Sequence, residues 1–102
     1  MNKPTLEHPA LILIEKLLSV PSPSGREERL AALVCDYLAQ AGYAYEIDPA
    51  GNVLVRLKGQ DQDAPLTVLA AHMDEIAMVV SRIAEDGSLR VRRSGGLYPS
   101  KL

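Results

Sequence analysis

A histidine and a carboxylate two residues apart, His72 and Asp74, follow directly on the apolar run Leu66-Thr67-Val68-Leu69-Ala70-Ala71. An imidazole nitrogen binds zinc or cobalt well, and a ligating histidine normally gives its other ring N–H to a carboxylate or carbonyl that fixes its orientation and tautomer. Residues two apart on extended backbone point to the same side, so Asp74 can serve His72 in this way. Reactive groups in open α/β sheets also collect just beyond the carboxyl ends of strands, which is where His72 falls. Spacing alone leaves two readings open: a metal corner, or a histidine hydrogen-bonded for structure, which is the commoner fate of a lone histidine near a strand end.

The elements that must hold this pair can be read from periodicity. Pro9 suits a first helical turn, and Leu11, Ile14, Leu17 and Leu18 recur at helical spacing, which predicts a helix from about Pro9 to Val20. Pro21-Ser22-Pro23-Ser24-Gly25 must be a loop, because each proline removes a donor and holds its predecessor extended. Ser24 with Glu27 three residues on fits a capping box, and Leu30, Leu33, Val34, Tyr37 and Leu38 then make one apolar stripe that ends at a glycine C′, Gly42. From Tyr43 the period is two: Tyr43, Tyr45 and Ile47, a turn at Asp48–Asn52, then Val53, Val55 and Leu57. After a polar loop at Lys58–Asp63, Leu66–Ala71 reads as a strand covered on both faces. Ile76–Ile83 and Ser88–Arg93 flank Glu85-Asp86-Gly87 as a hairpin, although Ile76–Val80 could also begin a buried helix. Gly95-Gly96 and Tyr98-Pro99 break the pattern.

Composition narrows the class. Hydrophobic residues at 47% with 24% charged suit one small globular domain rather than a disordered chain, and a net charge of −2 gives no footprint for nucleic acid or an anionic membrane. No apolar stretch approaches the ~20 residues that span a bilayer. The single cysteine, Cys35, and the lack of a secretory leader pattern point to a cytoplasmic protein.

Taken in order, Pro21-Ser22-Pro23-Ser24-Gly25 with Glu27, Asp48-Pro49-Ala50-Gly51-Asn52, Ala71-His72-Met73-Asp74-Glu75-Ile76, Asp86-Gly87-Ser88-Leu89 and Gly95-Gly96 resemble the start of metallopeptidase family 42. This is the glutamyl aminopeptidase and tetrahedral aminopeptidase group, whose members have sometimes been labelled endoglucanases. The resemblance runs from about Leu11 to Gly96, and its most specific piece is His-Met-Asp-Glu-Ile after an apolar strand. Ala77 stands where the family commonly has glycine.

The resemblance implies a three-layer αβα zinc-peptidase fold. Residues 1–96 would be the N-terminal part of its catalytic domain, and residues 97–102 the start of a connection to the remainder. It implies a cytoplasmic enzyme that releases amino-terminal residues from peptides with two divalent ions, zinc or cobalt. His72 would be the first metal ligand and Asp74 the active-site carboxylate that orients it; Glu75 matches the family text without a role carried over. The family's other ligands and its general base lie beyond Leu102, as does the domain through which it forms homo-oligomers. Little peptidase activity and a tendency to aggregate are therefore expected of these 102 residues alone.

Two other functions stay open: a related dinuclear zinc carboxypeptidase or deacylase, and a non-catalytic module that pairs through an exposed strand edge. Elsewhere the plain readings prevail. His8 reads as solvent-exposed or capping, Asp61 and Asp63 as solvated loop, Cys35 as packing, and Arg90, Arg92 and Arg93 as a solvated strand face opposite Leu89 and Val91.

Overall fold

Helix α1, Pro9–Leu18, begins at His8, whose Nδ1 accepts a hydrogen bond from the Ala10 N–H at 3.2 Å. This is from a computed structural model that describes residues 8–96; the expectations for Tyr98-Pro99 and for a separate 97–102 segment lie outside the described residues. The helix stops two residues short of Val20. Ser19 caps it through its N–H and hydroxyl, both on the Glu15 carbonyl, and Val20 turns back onto Leu17. Val20 precedes Pro21 and so resists the α conformation. The least exposed apolar residues here are Leu13 and Leu17 of the helix and Val20 beyond it; of the expected stripe Leu17 is half-buried, while Leu11, Ile14 and Leu18 are exposed. A helix apolar on nearly every side has no single face for periodicity to mark.

Helix α2, Glu28–Gln40, starts three residues later than a Ser24 cap would place it. The Arg26 N–H bonds the Pro23 carbonyl, and Gly25 has φ +83°, so Pro23–Arg26 is a turn of type II with glycine at its third position. Ser24 is spent in that turn. Glu27 reaches back as a capping-box glutamate would, but to the Gly25 N–H at 2.7 Å, and no side chain caps α2.

The apolar stripe of α2 is where it was expected. Leu30, Ala31 and Cys35 are buried, and Leu33, Val34, Tyr37 and Leu38 are half-buried beside them. Cys35 is a packing residue, 5% exposed. Lys16 of α1 places its ammonium 5.8 Å from the Tyr37 ring centroid, joining the two helices.

At its C-terminal end α2 closes in a Schellman motif: Tyr43 N–H to the Leu38 carbonyl, Gly42 N–H to the Ala39 carbonyl, and Gly42 at φ +80°. A Cβ at Gly42 would meet no atom within 4 Å, so the cost of Gly42→Ala is conformational alone. We expect this variant to lose about 1 kcal/mol of helix stability, read from the helical circular-dichroism transition in urea.

Strands β1, Glu46–Ile47, and β2, Val53–Leu54, pair antiparallel, as do β3, Ala77–Ile83, and β4, Leu89–Ser94. Ile76–Val80 is therefore largely strand, and the helical alternative falls. Both hairpins close with a three-residue loop ending in glycine, Pro49–Gly51 and Glu85–Gly87. Along β3 the register passes from Val80↔Val91 to Arg82↔Arg90, so Ser81 is a bulge, and its hydroxyl donates to the Arg90 carbonyl at 3.0 Å. Arg82, Arg90 and Arg92 share one face. Arg93, opposite Met78, falls on the side of Leu89 and Val91, because neighbours on a strand cannot face the same way.

One expectation is reversed. Leu66–Ala71 is neither a paired strand nor covered: it carries no regular structure, and Leu66, Val68 and Leu69 are 89%, 72% and 96% exposed. A strand is defined by its ladder, and none of the described strands pairs with this run. The chain is thus α/β in its elements, but its two sheets are separate. Its radius of gyration is 18.6 Å, against about 13 Å for a compact domain of this length.

Candidate functional site

His72 and Asp74 meet. The His72 Nδ1 lies 3.1 Å from Asp74 Oδ1 and 2.9 Å from the Asp74 carbonyl oxygen. Both neighbours are acceptors only, so the neutral ring carries its proton on Nδ1, and the lone pair is left on Nε2. The His72 side chain is 85% exposed and that of Asp74 is 40% exposed, so Nε2 is open to a ligand while Nδ1 is engaged. The local chain makes this contact within three residues.

Glu75 continues the site on its other side. Its N–H donates to the Ser22 carbonyl at 2.9 Å, and its Oε1 accepts from the Ser22 N–H at 3.2 Å. Pro23 and Glu75 form an isolated parallel bridge. The proline-rich loop is thus fastened one residue from Asp74. Pro21 and Pro23 also line an open hollow with Arg26, Glu28 and Arg29.

The other residues that could do chemistry are elsewhere. His8 is the cap of α1, and Asp61 accepts from the Asp63 N–H in an exposed loop. Among the described residues no three His, Cys, Asp or Glu side chains gather closely enough to hold a metal ion. What the site offers a metal is one well-oriented imidazole nitrogen. That suits zinc or cobalt in ligand chemistry, and further ligands are needed to complete a coordination sphere.

Asp48 builds a turn rather than a site. Its Oδ1 accepts from the N–H groups of Ala50 and Asn52, and its Oδ2 from the Asn52 side-chain amide. The Asn52 side-chain bond first, then the Asn52 backbone bond, hold its carboxyl below the ordinary value of 3.8. A lowered folded-state pKa stabilises the turn at every pH above the ordinary aspartate range, and that stability is lost as pH falls through the lowered value. On acidification the Ala50 and Asn52 amide resonances should move together below about pH 4 in a two-dimensional NMR titration, and should stay flat in Asp48→Asn.

Sequence periodicity gave no sign of the Glu75–Ser22 contact, whose partners are 53 positions apart. The clues to it were the resemblance, which includes Glu75, and the lone N–H between two prolines.

Comparison with known proteins adds to this geometry. A sequence model described as M42 glutamyl aminopeptidase matches residues 51–102. A lysyl aminopeptidase of Pyrococcus furiosus is 40% identical over 91 residues, covering 88% of this chain and 25% of that protein. A glutamyl aminopeptidase of Lactococcus lactis is 33% identical over 86 residues, 84% of this chain and 24% of its own. A LysW-lysine hydrolase of Deinococcus radiodurans is 38% identical over 84 residues, 80% and 22% respectively. The chain spans about a quarter of the length of these curated relatives.

Proposed function

This chain belongs to the M42 glutamyl aminopeptidase family, and on that premise we propose that it supplies one corner of a metal-dependent aminopeptidase site. His72 is the metal ligand, through Nε2, and Asp74 is the carboxylate that fixes its ring. The observation that carries this reading is the engagement of Nδ1 by two Asp74 oxygens, which leaves Nε2 as the free donor. Two divalent ions, zinc or cobalt, would supply polarisation of the scissile carbonyl and activation of the attacking water. The residues of this chain hold and orient: Asp74 keeps the proton on Nδ1, and in doing so keeps the Nε2 lone pair available.

The substrates of the proposal are peptides with a free amino terminus, and the enzyme is cytoplasmic and homo-oligomeric. Its fold is the three-layer αβα arrangement, with residues 1–96 in the catalytic domain and 97–102 leading out of it. No helix among the described residues is long and apolar enough to cross a membrane. The relatives named as aminopeptidases favour this reading over a carboxypeptidase or deacylase, while the similarity to a LysW-lysine hydrolase keeps a neighbouring hydrolase activity in view.

A graft tests the proposal. The chain replaces the matching quarter of the Pyrococcus furiosus lysyl aminopeptidase, metal is stripped with chelator, and zinc or cobalt is returned while aminoacyl-nitroanilide hydrolysis is followed. Hydrolysis restored by metal is the expected result. A folded graft that stays inactive with metal, beside an active parent, sinks it.

A further inference from the structure

The Pro21–Gly25 loop and the His72–Asp74 pair are far apart in sequence, and one residue joins them. Between Pro21 and Pro23 only Ser22 has a backbone N–H, and Pro23 holds Ser22 extended. An extended residue presents its N–H and C=O to the same side. Glu75 takes both: its carboxylate accepts from the Ser22 N–H at 3.2 Å, and its own N–H donates to the Ser22 carbonyl at 2.9 Å. Ser22 is 2% exposed and is the buried polar residue among those described. A buried donor left without a partner is costly, so the carboxylate is not free to leave for other work.

We propose that Glu75 is a positioning residue, a latch that holds the Pro21–Gly25 loop as a fixed wall beside His72 and Asp74, and neither a metal ligand nor a base. The latch itself needs only the Ser22 contacts; its meaning for a metal site rests on the function proposed above. The acceptor it requires is one oxygen, which an amide supplies as well as a carboxylate. A ligand or base would need the charge.

Amide exchange on the full chain reads the latch directly, followed by NMR in a background carrying Leu66→Lys, Val68→Thr and Leu69→Glu to keep these exposed side chains from driving association, with position 75 as wild type, Glu75→Gln or Glu75→Ala. The Ser22 amide is expected to exchange about tenfold faster or more in Glu75→Ala and to stay near the wild-type rate in Glu75→Gln. The imidazole nitrogen shifts of His72 should be alike in all three proteins, because the His72–Asp74 contact is made without Glu75. These shifts also show whether the alanine variant keeps the local fold. Unchanged Ser22 exchange in Glu75→Ala overturns the latch, as does a zinc response of His72 that is lost in Glu75→Gln. Failure of the metal reading looks different: zinc leaves the His72 resonances unmoved in the wild type while Ser22 still responds to the variants.

Discussion

His72→Ala is expected to abolish metal-restored hydrolysis in the grafted aminopeptidase, and Asp74→Asn to lower it by about 10–100-fold. The two variants differ because they remove different things. Alanine at 72 deletes the donor atom. Asparagine at 74 keeps the shape but can turn a donor toward Nδ1, so the ring loses the acceptor that fixes its proton there, 3.1 Å away. The ring can then rotate or carry its proton on Nε2. Part of the orientation survives, since the Asp74 carbonyl, at 2.9 Å, does not change with the side chain. The measurement is kcat/KM for an aminoacyl-nitroanilide as zinc or cobalt is titrated. For Asp74→Asn, excess metal should recover part of the loss, and for His72→Ala none. Equal, metal-independent losses in both variants would mean that the pair is structural.

Purified at micromolar concentration, the 102-residue chain is expected to self-associate, and replacing Leu66, Val68 and Leu69 with Lys, Thr and Glu should return it to monomer mass. These three side chains are 89%, 72% and 96% exposed. Covering a large aliphatic side chain is worth about 1.5–3 kcal/mol, so three offer roughly 5 kcal/mol, or more than about 1,000-fold in association constant. The short hairpins add open strand edges, a second route to association. Light scattering after size exclusion gives the mass directly. A monomeric wild-type chain at the same concentration would count against the idea, as would a triple variant that still associates.

Local chemistry was legible in the residues wherever a contact closes within a few positions. The cap of α1 at His8, the stripe of α2 around Leu30 and Cys35, the Schellman close at Gly42 and both glycine-ended hairpins follow from short-range sterics and hydrogen bonding. So does the His72–Asp74 contact, since two residues on extended backbone face the same way. Where two local solutions compete, the pattern misleads. Ser24 has the right neighbours for a cap, yet Gly25 makes the type II turn from Pro23 available, and the turn takes the serine.

Contacts between distant segments were not legible. An apolar run such as Leu66–Ala71 records only that covering it would be favourable; whether it is a strand depends on a partner with free N–H and C=O groups at the right height. The same holds for Glu75, whose carboxylate could have been ligand, base or surface charge until the Ser22 N–H was placed beside it. The sequence by itself determined the helices, the turns, the family and the His72–Asp74 contact, because each is set by neighbours in the chain or by the identities of residues in order. Only the tertiary structure decided what Glu75 does and that Leu66–Ala71 stands open, because both depend on which backbone groups from elsewhere come within hydrogen-bonding reach.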